Sequence, residues 1–217
     1  WMSGQSGGQS GSGFGVGFCG CSSIGPTGAI SQVYLARFDA AGGCPDVDRF
    51  DGKAYGAGGH VVRFAQNVFL SGTLTPQDPS NLGAIDLGGG LLQSDTWGAG
   101  FLARRTDTGD HLWSRLLPEG HAGRFDVDAS GRLLVPGDFE ATLTMFGAPQ
   151  DSAGDADIYL ARLGDGGAAD LVLRYGGAGK DAAISLIVDP AGAAVMNGSF
   201  ESSIDLGGGP HTEIVHG

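Results

Sequence analysis

Apolar residues along this chain come in short runs broken by glycine and aspartate. In Asp157-Ile158-Tyr159-Leu160-Ala161-Arg162-Leu163, an extended backbone sends Ile158 and Leu160 to one face and Tyr159, Ala161 and Leu163 to the other. Both faces are apolar, which predicts a strand covered on both sides rather than half-wet. No long stretch repeats apolar residues at the spacing of an amphipathic helix. The pattern predicts many short strands joined by turns.

One phrase recurs. Tyr34-Leu35-Ala36-Arg37, Phe101-Leu102-Ala103-Arg104 and Tyr159-Leu160-Ala161-Arg162 stand roughly 60 residues apart, the period of propeller blades or solenoid units. A polar turn and another strand follow each copy. Thr106-Asp107-Thr108-Gly109-Asp110 leads into Leu112-Trp113-Ser114-Arg115, and Gly164-Asp165-Gly166-Gly167 leads into Leu171-Val172-Leu173-Arg174-Tyr175. Asp39 to Gly43, before Cys44, is a less regular form of the same hairpin, with Gly and Asp supplying the turn conformations.

A second hairpin recurs as well. Val127-Asp128 turns at Ala129-Ser130-Gly131 into Arg132-Leu133-Leu134-Val135, and Val188-Asp189 turns at Pro190-Ala191-Gly192 into Ala194-Val195-Met196. The earlier copy, Val61 to Leu74, lacks the Asp-x-x-Gly turn. The link Ile85-Asp86-Leu87-Gly88-Gly89-Gly90 returns as Ile204-Asp205-Leu206-Gly207-Gly208-Gly209, while its middle counterpart, Leu143 to Gly147, is degraded.

Four strands per repeat make one four-stranded antiparallel blade. The predicted fold is therefore all-β, a β-propeller with blades of about 60 residues. The expected layout is a flexible Gly/Ser/Gln-rich lead-in over 1–13, a partial blade over 14–56, blades over 57–118 and 119–177, and a partial blade over 178–217. Propellers close with roughly 4 to 8 blades, so an incomplete ring or fragment is expected. Ring completion by a second chain and closure of the two half-blades are the alternatives, the latter leaving a surplus strand around Phe14 to Phe18. Open strand edges recruit partners, which makes self-association a further expectation.

These motifs resemble the bacterial SBBP-type β-propeller repeat of secreted and surface proteins, as in myxobacteria. The resemblance rests on Asp157 to Leu163, Leu112-Trp113-Ser114-Arg115, Val127 to Gly131, and Gly198-Ser199-Phe200 with Ile204 to Gly209. It covers most of residues 31–217. It implies an extracytoplasmic location, secreted, periplasmic or on the cell surface, and supplies no catalytic motif.

Composition narrows the partners. With 42 glycines a low-complexity chain comes to mind, but a hydrophobic content of 41% supports a packed core and assigns the glycines to turns. The net charge of -12 argues against a nucleic-acid surface and against adhesion to an anionic membrane. No apolar run approaches the roughly 18 residues of a membrane span. No signal peptide is visible and the chain opens at Trp1, which reads as a processed product or a fragment.

Candidate chemistry is sparse. Gly59-His60 with Arg63-Phe64 and Gly120-His121 with Arg124-Phe125 repeat where a blade's first strand begins. His60, Arg63, His121 and Arg124 are therefore candidates to line a ligand site at the channel mouth, against a reading as polar junction residues. Lys180-Asp181 occupies the third such place and breaks the symmetry. Asp126 and Asp128 are candidate calcium ligands, although the closing glutamate of an EF-hand is missing. A bond from Asp128 or Asp189 to its own turn backbone is the more economical role. Arg37, Arg104 and Arg162 end their strands and are expected to pair with turn carboxylates. Cys19, Cys21 and Cys44 make an odd count, allowing a disulfide from Cys21 or Cys19 to Cys44 with one thiol left over; a metal or redox site at Cys19-Gly20-Cys21 is the alternative, without a second ligand pair at zinc-like spacing.

No phosphate loop or nucleophile elbow is present. The leading expectation is a non-catalytic module that binds a protein or glycan partner or serves as a surface scaffold, with the Thr75 to Asn81 insertion as a candidate contact loop. A propeller hydrolase or lyase acting near His60 and His121 is the alternative, and a subunit that self-assembles through open blade edges is another.

Overall fold

The computed structural model describes residues 2–7, 31–43, 46–50, 52, 55–76 and 82–212. Every regular element among them is a strand, and none is a helix long and apolar enough to cross a membrane. The chain divides into two compact units, Trp1–Leu116 and Leu117–Gly217.

The first unit holds β1 (Met2–Gly7), β2 (Ser31–Arg37), β3 (Asp46–Phe50), β4 (Tyr55–Phe64), β5 (Asn67–Thr75), β6 (Gly83–Asp86), β7 (Leu91–Ser94), β8 (Ala99–Thr106) and β9 (His111–Leu117). Strands β4, β5, β8 and β9 form a four-stranded meander. β2 lies antiparallel between β1 and β3 and touches β4 through one parallel bridge, Ser31 to Tyr55. Strands β6 and β7 make a separate small hairpin between β5 and β8. Val33, Leu35, Val68, Leu70, Leu74, Ile85, Leu87 and Phe101 build one continuous core here.

The second unit repeats this plan with β10 (Gly120–Ala122), β11 (Asp126–Val127), β12 (Leu133–Leu143), β13 (Gln150–Leu163), β14 (Ala169–Tyr175), β15 (Ala182–Val188), β16 (Ala194–Ser199), β17 (Ser203–Asp205) and β18 (Pro210–Thr212). β10 and β11 together pair with β12, and β12, β13 and β14 complete a second four-stranded meander. β15 and β16 form a hairpin of their own, as do β17 and β18. The link that looked degraded in sequence is a direct extension of the β12–β13 hairpin through Leu143 and Gln150.

The strand carrying the repeated phrase is covered on both faces, as its two-sided apolar pattern predicts. Phe101, Leu102 and Ala103 are buried in β8, and Ile158, Tyr159, Ala161 and Leu163 in β13. Each aromatic sits over a glycine of the neighbouring strand. Phe101 is paired with Gly72 and Tyr159 with Gly137. A Cβ on Gly72 would lie 2.4 Å from the Phe101 ring, and one on Gly137 would lie 2.5 Å from the Tyr159 ring. Only glycine leaves room for the ring.

Two more contacts recur in both units. The bridge from Ser31 to Tyr55 has its counterpart in the parallel bridge from Ala156 to Lys180. A Cβ on Gly52 would lie 2.2 Å from the Ala84 carbonyl oxygen, and one on Gly177 would lie 1.9 Å from that of Ser203. The repeat thus fixes how successive strand groups abut as well as the strands themselves.

One expectation changes. Met2–Gly7, read from composition as part of a flexible lead-in, is strand β1, in register with β2 from Met2–Ala36 to Gly7–Ser31. A strand edge offers backbone hydrogen bonds whatever the side chains, so polar composition does not prevent pairing. The strands β2 and β3, expected in a partial blade over 14–56, pair antiparallel with each other and are joined to β4 by the single bridge Ser31 to Tyr55. Phe14 to Phe18 lie outside the described residues.

Candidate functional site

The two Gly-His-x-x-Arg-Phe phrases occupy different places in their hairpins. Each first strand carries a one-residue bulge just after the residue facing the repeat glycine. In β4 the register shifts between Gly58, opposite Gly72, and Val61, opposite Leu70. In the second unit it shifts between Ala122, opposite Gly137, and Asp126, opposite Leu134. In β15 it shifts between Ala183 and Ser185. His60 therefore lies inside its bulge, with its backbone N–H donated to the Ser71 hydroxyl at 3.1 Å. His121 lies before its bulge, directly opposite Asp138. The phrases match in letters but stand three residues apart in the repeat: His60 is two residues past Gly58, which faces Gly72, and His121 is one residue before Ala122, which faces Gly137.

The arginines diverge likewise. Arg63 is opposite Val68 near the end of β4, and its guanidinium reaches the Asp107 carboxylate at 2.9 Å. Arg124 stands within the bulge of the second unit. Its backbone N–H donates to the Ile184 carbonyl at 2.9 Å and its own carbonyl accepts from Leu186 N–H at 2.8 Å. What the chain uses at Arg124 is the main chain, which fastens the β15–β16 hairpin to the second meander.

His121 has the more distinctive electrostatics. Its Nδ1 lies 3.9 Å from the Asp138 carboxylate, the length of an ion pair rather than a hydrogen bond. That carboxylate raises the imidazole pKa above its usual value, with Glu140 adding to the effect and burial and Lys180 opposing it.

The acidic candidates resolve into turn wiring. One Asp128 oxygen accepts the N–H groups of Ser130 at 2.8 Å and Arg132 at 3.0 Å, and the other accepts the Arg132 guanidinium at 2.7 Å. Burial works against ionising Asp128, but these bonds outweigh it and hold its pKa below the usual carboxylate value. Asp189 accepts from Ala191 at 2.8 Å and Ala193 at 2.9 Å, and Asp39 accepts from Ala41 at 2.9 Å and Gly43 at 2.8 Å. In each turn the glycine one residue before the second donor has positive φ, at 83° for Gly42, 83° for Gly131 and 88° for Gly192. Asp86 and Asp205 hold their Gly-Gly-Gly turns by the same pair of bonds.

Asp126 does something else. One oxygen accepts its neighbour's N–H, and the other accepts Val188 N–H at 2.8 Å, a second tie to the β15–β16 hairpin. The carboxylates of Asp126 and Asp128 thus face N–H donors. Among the described residues no group of three His, Cys, Asp or Glu is placed to hold a metal ion.

Of the strand-ending arginines, expected to pair with turn carboxylates, Arg162 bonds the carboxylate of Asp170 at 2.7 Å, which lies in strand β14 rather than in the turn, and Arg104 donates to the Asn67 amide oxygen at 3.1 Å while lying over the Phe69 ring. Cys19, Cys21 and Cys44 lie outside the described residues, as do 77–81 of the insertion.

The deepest charges were missed in sequence. In the second unit Asp157 and Asp181 are both fully buried beside Gly176, where an added Cβ would meet Asp157 at 2.5 Å and Asp181 at 2.9 Å. Asp157 pairs with Arg174 and accepts Ala153 N–H at 3.0 Å, and Asp181 accepts Gly177 N–H at 2.7 Å. One oxygen of each acid is without a hydrogen-bond partner. Burial, and less strongly the charges of Asp157 and Glu201, raise the Asp181 pKa, against the pull of its backbone hydrogen bonds. Among the described residues of the first unit the buried charge is a cation. Arg105 donates to the carbonyls of Leu87 and Gly109, pairs with Asp48 at 3.2 Å and lies 5.0 Å from the Phe50 ring centre. One usable signal was present, since Asp157 immediately precedes an apolar strand run, where a charge must be either paired or at an edge.

A scan against protein-family models and a search of curated proteins both return no match for the chain.

Proposed function

We propose that the two meanders are blades of a β-propeller of the SBBP-like kind, and that the chain is a non-catalytic, extracytoplasmic module that scaffolds or binds a protein or glycan. One observation carries this reading. The charged residues that recur with the repeat, Asp39, Asp86, Asp128, Asp189, Asp205 and Arg162, are engaged by intramolecular bonds that shape turns and strand ends. Repetition here serves architecture, and the variable loops are left to make contacts. The shared bulge, the shared parallel bridge and the aromatic-over-glycine pairing support the blade reading.

Trp97, exposed at 61% in the loop before β8, is the best-placed contact residue. Exposed indole rings offer a flat apolar face suited to sugars and to protein hot spots. The test is a screen of the folded chain against glycan and purified-protein arrays. A saturable ligand whose affinity drops about tenfold in Trp97→Ala supports the reading. Turnover of any candidate substrate that disappears in His121→Ala refutes the non-catalytic assignment.

A further inference from the structure

The β15–β16 hairpin matches the first two strands of both meanders. Gly198, opposite Ala183, stands where Gly72 stands opposite Gly58 and Gly137 opposite Ala122. All three glycines press against a carbonyl of the preceding strand: a Cβ would lie 2.2 Å from Ala57 O, 2.0 Å from His121 O and 2.1 Å from Ala182 O. At Gly72 and Gly137 the next nearest atoms are those of an aromatic ring, whereas at Gly198 no ring atom is among the nearest three.

Among the described residues the edge beyond β16 is open in the same sense. Val195 is 60% exposed, while the residues at its register position, Phe69 and Leu134, are 2% and 9% exposed. β5 and β12 are covered there by β8 and β13, which carry the aromatic-Leu-Ala-Arg phrase. Among the described residues β16 pairs with β15 alone. Unpaired N–H and C=O groups along an edge are a template for one more strand.

The chain also contains a strand of that chemistry whose partner is weak. β2 carries Tyr34-Leu35-Ala36-Arg37, and on its matching side it is paired with β1, with Gly4 opposite Tyr34. β1 reads Met-Ser-Gly-Gln-Ser-Gly, with a single apolar residue, in the place where β5 and β12 supply core residues. Tyr34 is half-buried, unlike Phe101 and Tyr159, which are fully buried. Met2-Ser3-Gly4 stands in for Met196-Asn197-Gly198, with the same methionine and glycine at the same spacing.

We infer that β16 of one molecule docks in antiparallel register on β2 of a second copy, displacing β1, with Tyr34 of the second copy over Gly198. The register copied from β12 and β13 then puts Met196 opposite Ala36 and Val195 opposite Arg37. Two different edges meet, so the contact is head to tail and propagates to a closed ring or a filament. The inference goes beyond the scaffold reading. It uses only the observed strand registers, so a blank ligand array leaves it intact.

The test is sedimentation velocity of the full chain from low to high micromolar, with amide exchange read at 195–199. The wild type is expected to assemble with concentration, gaining protection at these amides. Val195→Lys places a charge on an exposed edge and is expected to weaken assembly about tenfold. Gln5→Pro sets a proline ring in the middle of β1, which disfavours its pairing with β2, and is expected to strengthen assembly. Tyr34→Ser removes the ring and is expected to weaken it. Mixing Val195→Lys, which keeps a working β2, with Tyr34→Ser, which keeps a working β16, is expected to restore pairing that stops at the dimer. A strict monomer in both the wild type and Gln5→Pro overturns the inference, as does assembly indifferent to Val195→Lys and Tyr34→Ser. Protection of 195–199 in a monomer also overturns it, because the edge is then covered within its own chain.

Discussion

Strands β8 and β13 carry the same phrase, the same register to a glycine and the same burial on both faces, yet they handle charge in opposite ways. β8 buries a cation, Arg105, whose acceptors are two carbonyls and Asp48. β13 buries an anion, Asp157, which depends on Arg174 and one backbone N–H, with Asp181 buried nearby. The aromatic residues differ too. Tyr159 donates its hydroxyl to the His121 carbonyl at 2.9 Å, and Phe101 has no hydroxyl to offer. The shared phrase therefore specifies packing, while each copy's polar interior follows from its own neighbours. Neutral carbonyls tolerate the loss of a cation better than a buried carboxylate tolerates the loss of its counter-charge.

The largest expected effect follows from that asymmetry. Arg174→Met strands the Asp157 charge in the core and is expected to cost about 3 kcal/mol in the second unit. Slowed-exchange amides of β12 to β14 are expected to lose protection while those of β4 to β8 keep theirs. Pairing the change with Asp157→Asn is expected to recover most of the loss; equal destabilisation with and without that second change would refute the charge argument. Arg105→Met leaves unmet acceptors but no unpaired buried charge, so the expected loss in the first unit is smaller, about 2 kcal/mol by denaturant titration.

The aromatic pair sharpens the comparison further. Tyr159→Phe removes one hydrogen bond and is expected to cost about 1 kcal/mol. The reciprocal Phe101→Tyr brings a hydroxyl toward the Ala57 carbonyl, the counterpart of His121, and is expected to be neutral to stabilising by up to about 1 kcal/mol. A large loss in Phe101→Tyr shows that the two slots differ in shape.

The smallest effects concern pH. The folded-state pKa of Asp181 is raised, so its contribution is complete below the unfolded carboxylate value and is lost as pH rises through the folded value. Asp181→Asn keeps an acceptor for Gly177 and removes the ionisation cost, so it is expected to stabilise the second unit at neutral pH by under about 1 kcal/mol. Asp128 has the opposite sign. Its pKa is lowered, so its contribution is present above the unfolded carboxylate value and is lost as pH falls through the folded one. Thermal unfolding of Asp128→Asn and Asp181→Asn across the acid range is expected to show the two slopes diverging.

Much of the fold was legible because strand and turn signals are local. The two-sided apolar run of 157–163 gave a doubly covered strand, and Asp128 and Asp189 ahead of glycine gave self-bonded turns. The Gly-His-x-x-Arg-Phe phrase misled because its two copies stand at different places relative to Gly72 and Gly137, which letters alone do not report. β1 was missed because pairing satisfies the backbone, which composition does not report. Asp157 was missed because its partner, Arg174, lies on the adjacent strand and its neighbour, Asp181, beyond the next turn.

By itself the sequence determined the all-β class, the repeat and the turn chemistry, since each depends on residues within a few positions of one another. Tertiary structure alone decided which histidine faces a carboxylate, which acids are buried and which strand edge stays open among the described residues. Those properties belong to the register between strands, where one inserted residue redirects every side chain that follows.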